Sequence, residues 1–474
     1  MKTNPFLPSW EYVPDGEPHV FGDRVYLYGS HDRFNGHAFC LNDYVCWSAP
    51  LEDLTDWRYE GVIYRRGDDP RDPAGEQCLY APDVARGPDG RYYLYYVLDA
   101  SPFVSVAVCD EPAGRYRFYG HVRYPDGSLL GERPGDPPQF DPAVWAEGDR
   151  AYLYGGFCPS GMPERRGCTA TVLGPDMITV VQGPRVVLPG CHHGEGTGFE
   201  GHEYFEAPSI RRIGEAWCLV YSSVRQHELC YAVSSSPTEG FRYGGVVVSN
   251  VDLGIGGFKD PARMMACPDN DHGGIAEVNG RWYVFYHRHT NGHSFSRQAC
   301  MEPIQVLPGP VIPQVGMSSC GPNGGPLPGA GAWSAGIACH LTCRHPMEAP
   351  YGLSVPGKRL GPEFPYITQD GKDGDRVPQH IANMDEGAMA GFRSFLCEGT
   401  ALTAVTTRGW CWGRFEVLLS PDGAPLGSIP VGKSNDWKTW RGYVPLPDGI
   451  QAIYLRYMGP GTASLLDFTL SGNV

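Results

Sequence analysis

A short polar turn followed by an alternating, aromatic-rich run recurs along the N-terminal part of the chain. The first copy, FGDRVYLYGS, begins at residue 21 and ends in Gly-Ser. Alternation with period two after a Gly-containing turn predicts a hairpin strand. Further copies are GPDGRYYLYYV at 87, AEGDRAYLYGG at 146, RIGEAWCLVYSS at 212 and EVNGRWYVFYHR at 277. The spacing of 59 to 67 residues between aligned positions suits a four-stranded sheet with its loops.

Five such sheets arranged around one axis would form a five-bladed β-propeller, which protects the edges of its strands. The alternative is a β-sandwich with accidental hairpin likeness, but five nearly even spacings favour the propeller. We therefore predict an all-β fold whose first domain spans residues 1–305.

The composition changes after this domain. Residues 306–339 are rich in Pro and Gly, as in VLPGPVIPQVGMSSCGPNGGPLPGAGA, and are predicted to be a linker. Alternating runs with Asp-Gly turns then resume, as in GRFEVLLSPDGAPLGSIPV. This pattern predicts a second domain, a jelly-roll-like β-sandwich, over residues 340–474.

Charge and composition exclude several classes of protein. The net charge is −15 without a basic stripe, which argues against nucleic-acid binding. The 16 cysteines are few for this length and include no CxxC pair, so neither a disulfide scaffold nor a zinc site is expected. No apolar run is long enough for a membrane span, and MKTNPFLPSW lacks the apolar core of a signal peptide. These features lead us to expect a cytoplasmic protein without a membrane partner.

One ionisable residue precedes each repeat at nearly the same offset. Nine to twelve residues upstream of the aligned strand position lie Glu17, Asp83, Asp141, Glu206 and His272. Equivalent points on propeller blades converge at the central axis, so these groups should face one another. Clustered acids raise each other's pKa at a cost in stability, which makes the cluster a candidate functional site.

Such a cluster could hydrolyse a glycosidic bond. One protonated carboxyl group would donate to the leaving oxygen, and a second would activate water or attack directly. A third carboxylate could keep the acid protonated through like-charge repulsion. Glu17, Asp141 and Glu206 could supply these parts. A histidine with oxygen partners could instead hold Ca²⁺ or water in the channel.

The ordered set of motifs resembles glycoside hydrolase family 43 over roughly residues 5 to 310. The resemblance is carried by GEPHVFGDRVYLYGSHD, YAPDV, FDPAVWAEGDRAYLY, FEAPSIRRIGEAWCLVYSS and DHGGIAEVNGRWYVFYHRH. The segment from about 340 to 474 resembles a family 6 carbohydrate-binding module through LSPDGAPLGSIPV, DWKTW and PDGIQAIYLRYMG. The first resemblance implies a five-bladed propeller of inverting hydrolases that act on arabinose- and xylose-containing glycans.

The resemblance to family 43 also implies roles for individual residues. Glu206 occupies the position of the general acid, and Asp141 that of the residue that tunes its pKa and orients substrate. Glu17 stands where the general base is expected. His272 matches a channel histidine that helps to hold water or Ca²⁺, and Arg297 resembles an arginine that contacts substrate.

Blade 1 departs from the family pattern. The family usually has Asp-Pro there, whereas this chain has Glu17-Pro18. Asp15 is therefore the alternative base, because Gly16 could let it reach the site. Asp83 is predicted to be a structural or substrate-orienting acid, and Asp32 either contacts substrate or caps a turn.

These observations predict an inverting, exo-acting hydrolase of short oligosaccharides that needs no cofactor for its chemistry. The preferred activities are α-L-arabinofuranosidase and β-D-xylosidase. Galactan- or galactofuranose-directed hydrolysis is one alternative, and a non-catalytic, lectin-like propeller is another. The sequence does not indicate an oligomeric state.

Overall fold

The computed structural model describes residues 3–256, 259, 263–344 and 359–472. It confirms an all-β fold in which a propeller precedes a sandwich. Each of the first four blades is an antiparallel sheet of four strands in chain order. Blade 1 contains β1 (Glu17–Phe21), β2 (Arg24–Tyr28), β3 (Tyr44–Pro50) and β4 (Arg58–Tyr64), and blade 2 contains β5 (Leu79–Arg86), β6 (Tyr92–Leu98), β7 (Ser105–Cys109) and β8 (Arg117–His121).

The remaining blades repeat this plan, and blade 5 has three strands. Blade 3 contains β9 (Ala143–Glu147), β10 (Arg150–Gly155), β11 (Gly167–Leu173) and β12 (Val180–Pro189). Blade 4 contains β13 (Tyr204–Ile213), β14 (Ala216–Ser223), β15 (Glu228–Ser234) and β16 (Arg242–Ser249), and blade 5 contains β17 (Ile275–Val278), β18 (Arg281–His289) and β19 (Arg297–Ile304). The first strand of each blade contacts the first strand of the next, and β17 returns to β1, which closes the ring.

The apolar cores of the propeller lie between neighbouring blades. In β2, Val25 and Leu27 are fully buried while Tyr26 between them is partly exposed, as alternation predicts. Buried tyrosines keep their hydroxyl groups paired, because an unpaired buried hydroxyl would cost stability. Between blades 1 and 2, for example, the Tyr64 and Tyr96 hydroxyls lie 2.7 Å apart. The aromatic repeat thus packs each blade against the next.

An N-terminal segment lies along β19, the last of the three strands that the described residues form in blade 5. The Phe6 N–H donates to the Ala299 carbonyl at 3.3 Å. The Asn4 side chain donates to the Met301 carbonyl and accepts from the Met301 N–H, at 2.9 and 3.0 Å. These bonds satisfy backbone groups on the open edge of β19.

The second domain consists of two packed sheets around a shared apolar core. One sheet contains β20 (Leu327–Pro328), β22 (His340–Thr342), β25 (Met389–Cys397), β27 (Gly413–Leu418), β28 (Gly427–Val431) and β30 (Gly449–Met458). The other contains β21 (Gly331–Ser334), β23 (Tyr366–Gln369), β24 (Gln379–Met384), β26 (Ala401–Cys411), β29 (Ser434–Pro445) and β31 (Gly461–Ser471). Residues 345–358, within the predicted sandwich, lie outside the described residues.

The predicted linker, residues 306–339, is in part built into the sandwich. β20 pairs with β25 and β21 pairs with β31, so the sandwich includes residues from 327 onward. Upstream, Val315 forms a bridge with Val248 of blade 4. The abundance of Pro and Gly therefore reflects short strands and turns that follow the surface of both domains. The likeness of this sandwich to a family 6 carbohydrate-binding module stays a prediction.

The sandwich contacts the loops of blade 1 directly. The Tyr12 hydroxyl donates to Gln369 Oε1 at 2.7 Å, and the Phe34 N–H donates to Asp373 Oδ1 at 2.7 Å. The Asn42 side-chain amide also donates to Asp373, at 3.2 Å. Within the described residues, no helix is both long enough and apolar enough to cross a membrane.

Asp252, which follows blade 4, joins the two domains through a buried ion pair. Its carboxylate is fully buried and lies 2.7 Å from both His340 Nε2 and Arg393 Nη1 of the sandwich.

We expect Asp252→Ala to lower the free energy of unfolding by about 3 kcal/mol, because the cation partner would stay partly buried and uncompensated. Denaturant melts would measure this loss. As a control, Asp422→Ala removes an exposed ion pair with Arg263 and should cost less than about 1 kcal/mol. Equal effects of the two substitutions would contradict the prediction.

Candidate active site

A pocket of about 720 Å³ opens at one end of the propeller axis. Its lining includes five charged or titratable side chains from four blades: Asp15 before β1, Asp141 before β9, Glu206 in β13, His272 before β17 and Arg297 at the start of β19. Blade 2 contributes Tyr80 of β5. The structure thus brings together the predicted residues Asp141, Glu206, His272 and Arg297, with Asp15.

Unusual backbone geometry directs the acids toward the pocket. Asp15 and Asp141 have φ angles of 57° and 46°, and Ala207 after Glu206 has 63°. Residues other than glycine rarely adopt this left-handed region, and they do so mainly where function requires it. The register of β13 also shifts on either side of Glu206, and such bulges re-aim side chains. Gly29 lets β2 approach this segment, since a Cβ there would lie 2.4 Å from the Pro14 carbonyl oxygen.

Asp15 is held in its ionised form. Its Oδ1 lies 2.8 Å from Arg297 Nη1, and its backbone N–H donates to His287 Nδ1 at 3.4 Å. Burial opposes ionisation, but the Arg297 charge and the His287 contact outweigh it and lower the pKa of Asp15. An ionised carboxylate facing the pocket can accept a proton.

Glu206, in contrast to Asp15, is held in its protonated form. Burial, together with the negative charge of Asp15, raises the pKa of Glu206 to about 8 despite the opposing charge of Arg297. Its side chain nevertheless faces the pocket, because Glu206 is one of the lining residues. A carboxyl group that stays protonated at neutral pH can donate a proton.

Asp141 lies beside both His272 and the acid. Its Oδ2 is 3.6 Å from His272 Nδ1. Burial raises the pKa of Asp141 well above its usual range, and the charges of Glu206 and Asp15 raise it further. Asp141 and Glu206 therefore do not both ionise readily, which fits a residue that tunes the acid.

Arg297 is fixed in the pocket wall by a second carboxylate. Asp32 accepts from Arg297 Nε at 2.9 Å and from Nη2 at 3.0 Å, a bidentate pair. The Phe39 ring lies 4.7 Å from the guanidinium carbon. Asp32 was predicted either to contact substrate or to cap a turn, and it is fully buried and does not line the pocket. It positions Arg297 instead.

The structure places Glu17, the predicted general base, outside the pocket. Glu17 is 1% exposed, and its Oε2 accepts from Arg211 Nη2 at 2.6 Å. Its carboxylate is grouped with His19 and Asp83, whose ligand atoms lie within 4.8 Å of one another, and none of these three residues lines the pocket. Asp15, the alternative base, lines the pocket.

Asp83, which was predicted to be a structural or substrate-orienting acid, also lies outside the pocket. It is fully buried, its Oδ1 lies 2.6 Å from His19 Nε2, and its Oδ2 accepts from the Val144 N–H at 2.6 Å. Asp83 thus joins blades 1, 2 and 3 inside the channel. This placement fits the structural role that the sequence left open.

Calcium at His272 stays a prediction. Burial lowers the pKa of His272 to about 4, so its imidazole is neutral and could bind a cation. Calcium prefers six to eight oxygen ligands. Among the described residues, the groups of three side chains close enough to share an ion are His202–Glu228–Cys230 and Glu17–His19–Asp83, and neither includes His272. Among the described side chains no such group surrounds His272, and no chemical step below uses calcium.

Tyr80, Phe140 and Phe157 line the pocket, Phe205 packs against Phe157, and none of these rings was identified from the sequence. The ring centroids of Tyr80 and Phe140 are 5.7 Å apart, those of Phe140 and Phe157 are 5.0 Å, and those of Phe157 and Phe205 are 5.3 Å. All four rings are partly exposed. A signal was present, because Phe140 and Phe205 directly precede Asp141 and Glu206 in the blade motifs.

The arrangement combines one ionised and one protonated carboxyl group in a pocket with an arginine and aromatic walls. Protonation of a leaving oxygen and activation of water require this pair of states. Aromatic rings suit the apolar faces of sugars.

Comparisons with known proteins agree with this chemistry. The sequence model of the family described as "Glycosyl hydrolases family 43" matches residues 3–308. A xylosidase/arabinosidase from Thermoclostridium stercorarium is 60% identical over 470 residues, which cover 99% of each chain.

Solved structures extend the comparison to the fold of both domains. A family 43 arabinoxylan arabinofuranohydrolase from Bacillus subtilis, in complex with cellotetraose, aligns with a TM-score of 0.51 at 18% identity and covers 99% of this chain and 97% of its own. The GH43_1 enzyme from Xanthomonas citri in complex with xylose aligns with a TM-score of 0.52 at 23% identity, over 66% of this chain and 93% of its own.

Proposed function

Because the chain belongs to family 43 of the glycosyl hydrolases, we propose that it releases terminal xylose or arabinose from short oligosaccharides with inversion of configuration. The pairing of ionised Asp15 with protonated Glu206 across one pocket carries the proposal. The 60% identity to a xylosidase/arabinosidase over nearly the whole chain supports these two sugars.

In this mechanism Glu206 is the general acid. It donates its proton to the glycosidic oxygen as the bond to the anomeric carbon breaks, so the leaving sugar departs as a neutral alcohol. The negative charges of Asp15 and Asp269 restrain ionisation of Glu206 before the reaction through like-charge repulsion. The donated proton is restored from solvent after product release.

Asp15 is the general base. It accepts a proton from a water molecule whose oxygen attacks the anomeric carbon from the face opposite the leaving group, which inverts the configuration. Arg297 keeps Asp15 ionised before the reaction. Because Asp32 holds the guanidinium bidentately, the Arg297–Asp15 geometry is fixed before substrate binds.

A panel of nitrophenyl pentosides and hexosides tests the proposal. We expect hydrolysis of β-D-xylosides, α-L-arabinofuranosides or both, and little hydrolysis of hexosides. Proton NMR of the first-formed sugar should show inverted anomeric configuration. Retention would reject the water mechanism, hydrolysis confined to galactosides would replace the substrate class, and sugar binding without hydrolysis would indicate a lectin.

The fall of kcat/KM at alkaline pH should report the ionisation of Glu206. Glu206 donates only when protonated, and its pKa is about 8, so activity should fall roughly tenfold per unit at higher pH. The lowered pKa of Asp15 keeps the base ionised into the acidic range. Asp269 contributes to the raised pKa of Glu206, so Asp269→Asn should move the alkaline fall toward lower pH. An alkaline fall that begins below neutral pH would contradict this assignment.

A further inference from the structure

A second groove of about 710 Å³ continues from the pocket across blade 3. One side is the loop of residues 134–138 and the other is the segment of residues 156–158 and 164–167. Pro138, Phe157 and Arg165 line both the pocket and the groove. The two cavities therefore adjoin at these residues, and a substrate longer than one sugar would extend from the pocket toward the groove.

The positions of the charged residues indicate which end of such a substrate lies in the pocket. Asp15, His272 and Arg297 surround the end of the pocket at the propeller axis, where the sugar that is released must lie. Phe157 and Arg165 stand at the junction with the groove. The part of the oligosaccharide beyond the broken bond, which is the leaving group, would then occupy the groove.

Two adjacent arginines place positive charge in the groove. Arg165 and Arg166 both line it. In the described part of the chain, the one carboxylate within 4 Å of either guanidinium is that of Glu164, 3.7 Å from Arg165 Nε and 68% exposed. This separation exceeds hydrogen-bond distance, so both guanidinium groups keep donors for a ligand.

Two acids line the groove, Glu164 and Asp136, and Asp136 is already engaged by other donors. Asp136 accepts from the Tyr124 hydroxyl at 2.9 Å and from the Gly131 N–H at 3.0 Å. It therefore does not neutralise the arginines. The Phe157 ring at the junction offers a face for a neutral sugar, whereas the two guanidinium groups suit a carboxylate, which arginine binds through paired donors.

We propose that this groove binds the leaving-group side of the substrate and that Arg165 and Arg166 select oligosaccharides carrying a uronic acid. The inference rests on the proposed function, since it assigns the groove to the sugars beyond the bond that is hydrolysed. The recognised group is a sugar carboxylate one or more residues from that bond.

The test compares kcat/KM for three substrates of the full-length protein: a nitrophenyl pentoside, a neutral xylotriose, and a xylo-oligosaccharide of the same backbone length whose leaving-group side carries a glucuronic acid. We expect the acidic oligosaccharide to be preferred over the neutral one by about tenfold at low salt. The preference should shrink as ionic strength rises. In the double variant Arg165→Gln/Arg166→Gln, the ratio of acidic to neutral should fall to about one.

Arg58→Gln is the matched control, because Arg58 is an exposed arginine of blade 1 that pairs with Glu60 away from both cavities. It should leave the ratio unchanged, and thermal melts should show that all variants fold. A wild-type ratio near one, or an unchanged ratio in the double variant, would overturn the inference while leaving pentoside hydrolysis intact.

If no pentoside is hydrolysed, the proposed function fails and the groove is tested by binding. Calorimetry with the glucuronic acid-bearing oligosaccharide should then show binding that weakens about tenfold in the double variant. Equal affinity of wild type and double variant would overturn the inference on its own.

Discussion

Glu206→Gln should reduce turnover of natural oligosaccharides by at least about a thousandfold. Glutamine keeps the shape of the side chain but has no acidic proton, and general acid catalysis contributes about 10²–10⁴-fold in rate. The expected loss lies near the upper end because the leaving group is a sugar alkoxide, which departs poorly without protonation. Steady-state kinetics on a xylo-oligosaccharide would measure it.

Leaving-group dependence distinguishes a lost acid from a damaged pocket. A dinitrophenyl pentoside departs with little need of a proton, so the same variant should lose much less activity on that substrate. Glu195→Gln, at an exposed glutamate of the loop before β13, is the matched control and should retain normal activity. A near-normal rate of the Glu206 variant on oligosaccharides would contradict its role as the acid.

Asp15→Asn should reduce turnover by about a thousandfold on every substrate, whatever the leaving group. The base acts on water, so a better leaving group does not replace it. Glu17→Gln should reduce turnover less than about tenfold, because Glu17 does not line the pocket. It should instead lower the free energy of unfolding by about 3 kcal/mol, since the buried Arg211 loses its carboxylate.

Kinetics and denaturant melts of this pair therefore separate the two candidate bases. A severe loss of activity in the Glu17 variant, together with mild effects in the Asp15 variant, would return the base to Glu17. Comparable losses in both would mean that the channel acids act as one unit.

The propeller was predictable because its repeats are local. Each turn and strand is specified within about a dozen residues, and the even spacing of the copies reports how many sheets there are. The convergence of Asp141, Glu206 and His272 follows from that geometry alone. The repeat of the blades therefore allowed part of the candidate site to be predicted without knowledge of any side-chain position.

Which of the two neighbouring acids faces the pocket was not predictable from the same pattern. PDGEP contains two acids separated by one glycine, and the offset rule pointed to Glu17. The positive φ at Asp15, the register of β1 and the distant Arg297 and Arg211 decide which acid faces the pocket. These are tertiary effects that a local motif does not encode. For the same reason Asp32, which was expected near substrate, proved to hold Arg297.

The contacts between the sandwich and blade 1 bear on how this protein can be engineered. Asp373 of the sandwich binds the Phe34 N–H and the Asn42 amide, and these two residues flank the loop that carries Phe39 into the pocket. If the propeller were produced without the sandwich, this loop would lose its contacts with Asp373. Asp252 would also lose its ion pair with His340 and Arg393. The propeller is thus unsuited to exchange as a separate domain between proteins. Chimeras should either be joined within strands of one domain or exchange both domains together.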